Sequence, residues 1–365
     1  MITTLDRYII KKIVFTFFFS IISVLSIVIV FDISEKLDDF LGANMSFWEI
    51  ASTYYVGFAV FIGNLFFPLF TLITIVMVTT KMNQRNEITA ILSSGVSFNR
   101  MLRPFFVGVG IIVLFSFFIN IFLLPAANEK RLNWENQHTG YSSIRSKVNM
   151  EVSKGVVVSY SRLNIKDKDV VNGMWIDTFK EDSTGKQVLV KTIKAGHGYQ
   201  QDTTKKNKWN LKSVLVRDYK GGEEKMYRMA TLDTILPFTM DDLGQRTNVV
   251  STMTITELRK YREKEQQKGS KLVPYIEIEM YSRYANPLSL FIIALLGICI
   301  SISPARSKVG MTILIGIGTV AIYFVFNRFT TVAATNAGFN SFLAVWIPNV
   351  FLLIFSLYVY VKTPK

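Results

Sequence analysis

Residues 13–31 read IVFTFFFSIISVLSIVIVF and contain no charged side chain. At about 1.5 Å of rise per helical residue, this run is close to the length that crosses about 30 Å of hydrocarbon. It continues into Phe31-Asp32-Ile33-Ser34-Glu35 without the small-residue pattern of a signal-peptide cleavage site. The run is therefore predicted to be a retained membrane-spanning helix.

Five more apolar runs follow, at residues 50–80, 104–128, 284–305, 309–327 and 329–361. Half of the 365 residues are hydrophobic and 29 are Phe. Buried core helices are the alternative, but these are usually shorter and carry a polar face. The predicted fold is an α-helical membrane protein with six transmembrane helices, three on each side of an inserted all-β domain. The single Cys299 lies in an apolar run and excludes an intrachain disulfide.

Charges in the short connections predict the orientation of the chain. Basic residues collect on one side: Arg7, Lys11, Lys12, Lys81, Arg85, Arg100, Arg103, Arg306, Lys308, Lys362 and Lys365. On the other side, the first connection carries Glu35, Lys36, Asp38, Asp39 and Glu49. Because short basic loops stay in the cytoplasm, both termini are predicted to be cytoplasmic and the central domain periplasmic.

The central segment, residues 125–272, carries 27 Lys and Arg against 18 Asp and Glu, a net charge of +9. Long domains cross the membrane largely regardless of charge, so this excess does not contradict the topology. It is compatible with an anionic ligand or membrane surface, and equally with a solvated basic face.

Short alternating runs within the central segment are typical of β-strands. They lie at residues 156–160, 174–176, 187–193 and 209–216, and turn signals stand at Asn172-Gly173, at residues 183–185 and at residues 220–222. The pattern predicts a β-sandwich or an open, half-rolled antiparallel sheet. Residues 254–268 are predicted to form an exposed helix that returns the chain to the membrane, with Ser251 or Thr254 as its cap.

No constellation of catalytic or metal-binding residues is evident. The two histidines, His138 and His197, lack the spacing of a metal site or a triad. Gly185-Lys186 lacks the upstream glycine of a phosphate-binding loop. We therefore expect no catalytic residue, no metal, no cofactor and no nucleic-acid partner. Transport is the remaining class, with ATP hydrolysis on a separate subunit.

Residues 84–95 have helical spacing between two membrane runs. Ile88, Ile91 and Leu92 fall on one face, and Gly95 is placed to end the helix in a left-handed conformation. With Arg85 and Glu87 beside that face, the helix suits docking into a groove on a soluble partner. A helix that rests on lipid headgroups is the alternative.

Several motifs together resemble the lipopolysaccharide export permeases of the LptF/LptG family. They cover both membrane halves in order: Leu5-Asp6-Arg7-Tyr8-Ile9, Phe66-Phe67-Pro68, Arg85-x-Glu87 with Ser94-Gly95, Pro125-x-x-Asn128-x-x-Arg131, Glu279-x-x-x-Arg283-x-x-x-Pro287, and Pro304-x-Arg306-Ser307. The opening Leu-Asp-Arg-Tyr resembles the LptG branch. The central domain is similar to the family's only in place and strand character.

The resemblance implies a heterodimer with an LptF-like second permease and a cytoplasmic LptB-like ATPase dimer that Glu87 engages. It also implies a β-jellyroll that passes lipopolysaccharide to a periplasmic LptC/LptA-like bridge, and a first helix that forms part of a lateral gate. The predicted domains are residues 1–125 with the coupling helix near 84–94, residues 126–272 with the β domain and return helix, and residues 273–365. Family members with a basic residue near the outer end of the first helix differ from this chain, where no Lys or Arg occurs between Lys12 and Lys36.

A lipid path through such a protein needs apolar walls for the chains and cations for the headgroup. The candidate residues for this path are Phe15, Phe18, Phe19, Phe66, Phe67, Lys36, Lys130, Arg131 and Arg328. Lipid contact or helix packing is the alternative for each Phe, and snorkelling to the interface is the alternative for Arg328. Glu279 and Arg283, four residues apart, are expected to pair at the start of the fourth helix, with Pro287 setting a kink one turn later.

Two other functions remain open on sequence grounds. One is a permease of another ABC exporter for envelope lipids or lipoproteins, although permeases of the macrolide or lipoprotein type typically have four spanning helices. The other is an envelope scaffold that transports nothing.

Overall fold

The computed structural model describes residues 3–43, 45–138, 144–153, 155–164, 170–181, 186–200, 207–220, 223–238, 243, 247–267, 270, 272–302 and 309–363. The first helical part contains α1 (Thr4–Glu35), α2 (Leu37–Gly42), α3 (Phe47–Ile50), a π-helical turn (Ala51–Tyr55), α4 (Val56–Leu65), α5 (Phe67–Gln84), α6 (Glu87–Ser93), α7 (Phe98–Phe118), a second π-helical turn (Ile119–Leu123) and α8 (Leu124–His138). The second contains a 3-10 turn (Thr247–Thr252), α9 (Ile255–Gln267), α10 (Val273–Ile302), α11 (Val309–Asn336) and α12 (Ser341–Lys362).

Five helices within the described ranges are long and apolar enough to cross a bilayer: Thr4–Glu35, Phe98–Glu135, Val273–Ile302, Gly310–Asn336 and Ser341–Lys362. A sixth candidate is the pair Phe47–Leu65 and Phe67–Gln84, whose two parts meet at an angle of 61°. Three spans thus precede the sheet and three follow it. The predicted fold class is confirmed.

Two span boundaries differ from the expectation. The fifth run was predicted to stop at residue 327 and the sixth to begin at 329, but α11 continues through Arg328 to Asn336. A single arginine does not end a helix, because its long side chain can leave the apolar surroundings. The last helix begins where the Asn340 side chain accepts hydrogen bonds from the backbone N–H groups of Phe342 and Leu343. The turn with Pro304, Arg306 and Lys308 lies outside the described residues.

The inserted domain is one antiparallel sheet of six strands in the order β1-β2-β3-β4-β5-β6. The strands are β1 (Ile144–Ser153), β2 (Val156–Asn164), β3 (Val170–Glu181), β4 (Gln187–Gln200), β5 (Lys208–Lys220) and β6 (Glu223–Ile235). The four predicted strands correspond to β2–β5, whereas β1 and β6 were missed. Of the two architectures left open, the described strands form the open sheet.

Asn172-Gly173, predicted to be a turn, lies inside β3, where Asn172 is paired with Arg162 of β2. Gly173 has a φ of +60°, and a Cβ there would lie 2.5 Å from Ser161 Oγ. The glycine is therefore required by close strand contact and not by a reversal of the chain.

One face of the sheet forms its own hydrophobic core. Trp209 of β5 is fully buried and donates its indole N–H to the Phe238 carbonyl at 3.0 Å. Tyr160 of β2 donates its hydroxyl to the Leu243 carbonyl at 3.0 Å. The chain after β6 thus covers this face, and both aromatic side chains satisfy their polar atoms on its backbone.

The sheet returns to the membrane through α9, which begins at Ile255, one residue after the predicted start. The predicted last residue, Lys268, lies outside the described residues. Thr254 caps this helix: its Oγ1 accepts from the Glu257 N–H, and Glu257 Oε2 accepts from the Thr254 N–H at 2.7 Å. Val250, Leu258 and Ile276 form a small core that joins the 3-10 turn, α9 and α10. Asn128 of α8 also donates to the Ser251 carbonyl at 3.3 Å. The two helical parts therefore meet beside the base of the sheet.

Within the bundle, α10 is the central helix. Its residues Leu290 and Ala294 belong to a core shared with α1, α5 and α7, while Ile293 and Leu296 belong to a core shared with α5, α11 and α12. All four side chains are fully buried. Because α10 contributes to both cores, it holds the helices before the sheet against those after it.

Candidate functional site

The most pronounced break in the bundle is the bend between α4 and α5. Phe66 lies between the two helices with φ −96° and ψ 5°, and Pro68 is in the first turn of α5. Proline lacks the N–H that would continue the preceding helical hydrogen bonds, so the sequence favours a new helix start here. The two halves of this span meet at the 61° bend, directly before Pro68.

A cavity of about 640 Å³ lies beside this bend. Its wall is formed by the α4–α5 junction, α7 and α8 near the second π-helical turn, the 3-10 turn, the first part of α10 and the last part of α11. The cavity is thus built by both helical triplets together with the segment that leaves the sheet. Apolar lining residues include Phe61, Leu65, Phe67, Leu124, Ile278, Phe324 and Val332.

Asparagine side chains give this cavity a polar wall. Asn64 of α4 and Asn120 of the π-helical turn exchange amide hydrogen bonds of 3.1 and 2.8 Å. Asn120 also donates to the Ser116 carbonyl at 2.8 Å. Further lining residues with amide or hydroxyl groups are Asn128, Ser282, Asn286, Tyr323, Asn327, Thr331, Thr335 and Asn336. Local π-helical turns often occur at functional sites, and this one aims Asn120 at the bend.

Three charged side chains line the same cavity. Arg283 of α10 donates from Nε to Glu279 Oε1 at 3.1 Å, which forms the pair expected from their spacing. Arg328 of α11 also lines the cavity. Pro287 lies within α10, one turn after Arg283, and is buried.

The family model described as lipopolysaccharide export system permease LptF/LptG matches residues 7–362. The chain belongs to the LptF/LptG family. It is accordingly a multi-pass inner-membrane permease of the lipopolysaccharide export system. A search of curated proteins found no match to the chain.

In this LptF/LptG permease, the nine residues predicted for a lipid path are not gathered in one place. Phe67 and Arg328 line the cavity. Phe18 and Phe66 pack against the core, and Phe18 meets Phe115 edge-on. The other two phenylalanines, Phe15 and Phe19, are exposed by 70% and 63% and stack on each other on the outer surface of α1.

Two of the predicted headgroup cations are already paired. Lys36 Nζ lies 3.0 Å from Asp32 Oδ1, donates to the Tyr54 hydroxyl and stands 4.5 Å from the centre of the Tyr54 ring. Arg131 Nη1 lies 3.1 Å from Glu135 Oε1, and its guanidinium covers the Phe61 ring at 4.1 Å. Lys130 is exposed. The cluster formed by Lys36, Asp32, Tyr54, Arg131 and Glu135 holds α1 against α8.

The helix predicted to couple to an ATPase is α6. Its apolar face is turned inward: Ile88 is 2% exposed, and Ile91 and Leu92 pack against the bundle core. These apolar side chains therefore anchor α6 to its own chain, and the docking of α6 on a partner stays a prediction. Gly95 ends the helix with a φ of +86°, as predicted.

Glu87, in the first turn of α6, is joined to α1. Its carboxylate lies 3.6 Å from Lys12 Nζ and accepts a hydrogen bond from the Tyr8 hydroxyl at 3.3 Å. Arg85 Nη1 lies 3.9 Å away. The residues of α6 that remain exposed are polar or small: Thr89, Ala90 and Ser93.

Each of the two histidines contacts a neighbouring side chain of the fold. His138 stacks on Trp134, and His197 of β4 lies 2.6 Å from Asn172 Oδ1 of β3. Within the described ranges, no group of three His, Cys, Asp or Glu side chains is placed to bind a metal ion.

Sequence reasoning missed the asparagines of the cavity. Asn64 and Asn120 are the amides that interrupt two otherwise apolar runs, and polar residues inside membrane helices are a recognisable functional signal. These two asparagines, however, lie 56 positions apart in sequence. Only the packing of α4 against the π-helical turn brings them together.

Proposed function

We propose that this permease is one subunit of an ABC-type exporter that extracts lipopolysaccharide from the inner membrane and passes it to a periplasmic bridge. The observation that carries the proposal is the family match, which spans both helical triplets and the sheet. The function requires a hydrolysing partner, so ATP hydrolysis is assigned to a separate LptB-like dimer.

The proposed topology places both termini and α6 in the cytoplasm and the sheet in the periplasm. It is supported by the basic residues near the α6 end of the helices, among them Arg7, Lys11, Lys81 and Arg103. The corresponding division of the chain is residues 1–125 for helices one to three, 126–272 for the sheet and return helix, and 273–365 for helices four to six.

The proposed contact with the ATPase uses the outward face of α6 and its charged first turn. Glu87 is the central residue of this contact, with Arg85, Thr89 and Ser93 around it. Ile88, Ile91 and Leu92 act from behind by fixing α6 to the bundle. A force on α6 therefore reaches α5, α7 and, through Tyr8 and Lys12, α1.

The proposed lipid path begins at the outer surface of α1 and passes the cavity at the bend. Exposing acyl chains to water costs about 0.8 kcal/mol per CH2, so the path must keep them on apolar surface. The exposed Phe15 and Phe19 and the cavity residue Phe67 supply such surface. Arg328 supplies a cation at the cavity.

The opening Leu5-Asp6-Arg7-Tyr8 supports the LptG-like role, with an LptF-like chain as the second permease. The long exposed faces of α1 and α11 support a helical partner: Ile22, Ile27, Val30, Leu314, Ile322, Val325 and Phe329 are all exposed apolar residues. The β6 edge of the sheet is the proposed place for the LptC/LptA-like bridge.

Copurification tests the assignment to an ABC exporter. Affinity capture of this chain from its own membranes should bring down a second permease and an ATPase. Glu87→Lys places a cation beside Lys12 and should release the ATPase. Glu87→Gln keeps the side-chain size and should weaken ATPase binding less. Glu35→Lys makes the same charge change at the other end of α1 and should retain the complex. Equal ATPase recovery and equal coupled hydrolysis in all variants would overturn the docking role.

Crosslinking tests the path. A photoreactive residue at Phe324 in the cavity and at Leu189 in β4 should capture labelled lipopolysaccharide, with a yield that rises on addition of ATP. The same residue at Ser270, beside the return helix, serves as the matched position away from the cavity lining. ATP-independent capture at both sites would favour an envelope scaffold over a transporter.

A further inference from the structure

Arg283 is the most deeply buried cation in the described part of the chain. Its side chain is 1% exposed and lies within the membrane-spanning helix α10, ten residues after Val273. Intramembrane arginines are rare and energetically costly, and they are usually paired or face a cavity. Arg283 does both, because it pairs with Glu279 and lines the cavity beside the bend.

The pairing with Glu279 leaves most of the guanidinium unused. Arg283 Nε donates to Glu279 Oε1, and Nη2 lies 3.1 Å from the same oxygen. Neither Nη1 nor Nη2 donates a hydrogen bond to an acceptor among the described residues. A guanidinium carries five N–H donors in a planar fork, and buried donors are rarely left unpaired. The open edge of Arg283 therefore has the geometry that an oxyanion would satisfy.

The remaining cavity lining fits an anion better than a cation. Arg328 contributes a second positive charge, and Glu279 is the one acidic residue among the lining residues that the structure describes. Asn286 and Ser282, in the same part of α10, add amide and hydroxyl groups. Phosphate is the oxyanion that two arginines suit, because it accepts paired hydrogen bonds and carries more than one negative charge.

We propose that Arg283, supported by Arg328, binds a phosphate group in the cavity between the α4–α5 bend and α10. Glu279 acts as a positioning residue: it holds the Nε edge and turns the Nη edge toward the cavity. The phosphate comes either from the headgroup of a membrane lipid or from free inorganic phosphate. This recognition belongs to the permease chain alone, so it stands even if no ATPase copurifies.

Phosphate binding is measured on the full chain in dodecyl maltoside micelles, because this detergent contains no phosphorus. One arm adds inorganic phosphate, and the other adds phosphatidate, whose headgroup is a phosphomonoester. Line broadening of the 31P resonance and the shift of the thermal transition report binding. Arg283→Gln should weaken the binding about tenfold or more, since hydrogen bonds to charged groups are lost. Binding in one arm and not in the other assigns the source of the phosphate.

Glu279→Gln separates a phosphate site from a purely structural ion pair. Glutamine keeps the Oε1 acceptor that positions Arg283 and removes only the negative charge, so phosphate should bind at least as tightly as to the unaltered chain. Arg283→Lys keeps the charge but loses the planar fork and should bind weakly while remaining folded. If neither phosphate source binds in an Arg283-dependent way, or if Glu279→Gln and Arg283→Gln weaken binding equally, the proposal is overturned.

Discussion

The phenol of Tyr8 donates a hydrogen bond of 3.3 Å to the carboxylate of Glu87. The two residues are 79 positions apart and belong to α1 and α6. Lys12 completes the contact, one helical turn after Tyr8, with its Nζ 2.9 Å from the Tyr8 hydroxyl. The first membrane helix is thus bonded directly to the helix that we propose for ATPase contact.

Breaking this contact should loosen α6. Tyr8→Phe removes the hydrogen bond to Glu87, worth about 0.5–1.5 kcal/mol, together with the one that Tyr8 accepts from Lys12, so amide exchange in Glu87–Ser93 should accelerate about two- to tenfold. Hydrogen–deuterium exchange measures the change. Tyr358→Phe removes a hydroxyl from the exposed face of α12 and should leave α6 exchange unaltered. Unchanged exchange in Tyr8→Phe would show that the core contacts of Ile88 suffice.

A second bond fixes the start of α1 to α7. Arg100 holds Asp6 through two parallel hydrogen bonds, Nη1 to Oδ1 at 2.8 Å and Nη2 to Oδ2 at 2.7 Å. Because this geometry needs a planar fork, Arg100→Lys should lower the thermal transition nearly as much as Arg100→Gln. The paired exchange Asp6→Arg with Arg100→Asp should recover part of the loss. Full stability of Arg100→Lys would mean that charge alone is sufficient.

The reciprocal amide pair at the bend should behave as a unit. Asn120→Leu leaves the Asn64 amide without its partner and should cost on the order of 1 kcal/mol. The double variant Asn64→Leu with Asn120→Leu removes both polar groups and should be closer to the unaltered chain than either single variant. Denaturation of the four proteins in the same detergent gives the coupling energy, and strictly additive losses would contradict the pair.

The cap of the return helix predicts that the stability of α9 depends on pH. The Thr254 backbone N–H and hydroxyl hold the pKa of Glu257 below its usual value of 4.5. A lowered pKa in the folded state means that this stabilisation is present above the unfolded pKa and is lost as pH falls through the folded pKa. Thr254→Ala should destabilise α9 by about 1 kcal/mol and reduce this acid sensitivity without abolishing it, because alanine keeps the backbone N–H that bonds Glu257. Thr254→Ser should preserve both the stability and the acid sensitivity. Amide exchange of α9 between pH 3 and 6, roughly the range around the carboxyl pKa, measures both effects.

Composition and periodicity predicted the features that repeat along the chain. The six apolar runs and the four strands with alternating side chains are signals of this kind. The missed strands lack the signal: β6 exposes nearly every side chain, including Met226, Tyr227 and Met229. Such an edge strand is held by backbone hydrogen bonds to β5, and the pattern of hydrophobic residues does not indicate where these hydrogen bonds form.

The site was harder to predict because its residues meet only in three dimensions. The expected interaction of Lys36 with a lipid phosphate rested on its charge and position. Asp32, one turn earlier, is visible in the sequence as a competing partner. Tyr54 and Glu135 cannot be recognised from the sequence as partners of Lys36, since they come from the π-helical turn and α8. Likewise Arg283 was interpreted as a paired residue, and only its burial beside a cavity revealed the unused donors.

The strand order of the inserted sheet has a consequence for how the chain assembles. Each described strand pairs with its neighbours in sequence, so every loop closed during folding is short. Low contact order permits rapid folding from one end to the other. The sheet can therefore form progressively while the second helical triplet is still being synthesised. Once formed, it brings the 3-10 turn and α9 close to α8, which shortens the search by which α10 finds its place in the bundle.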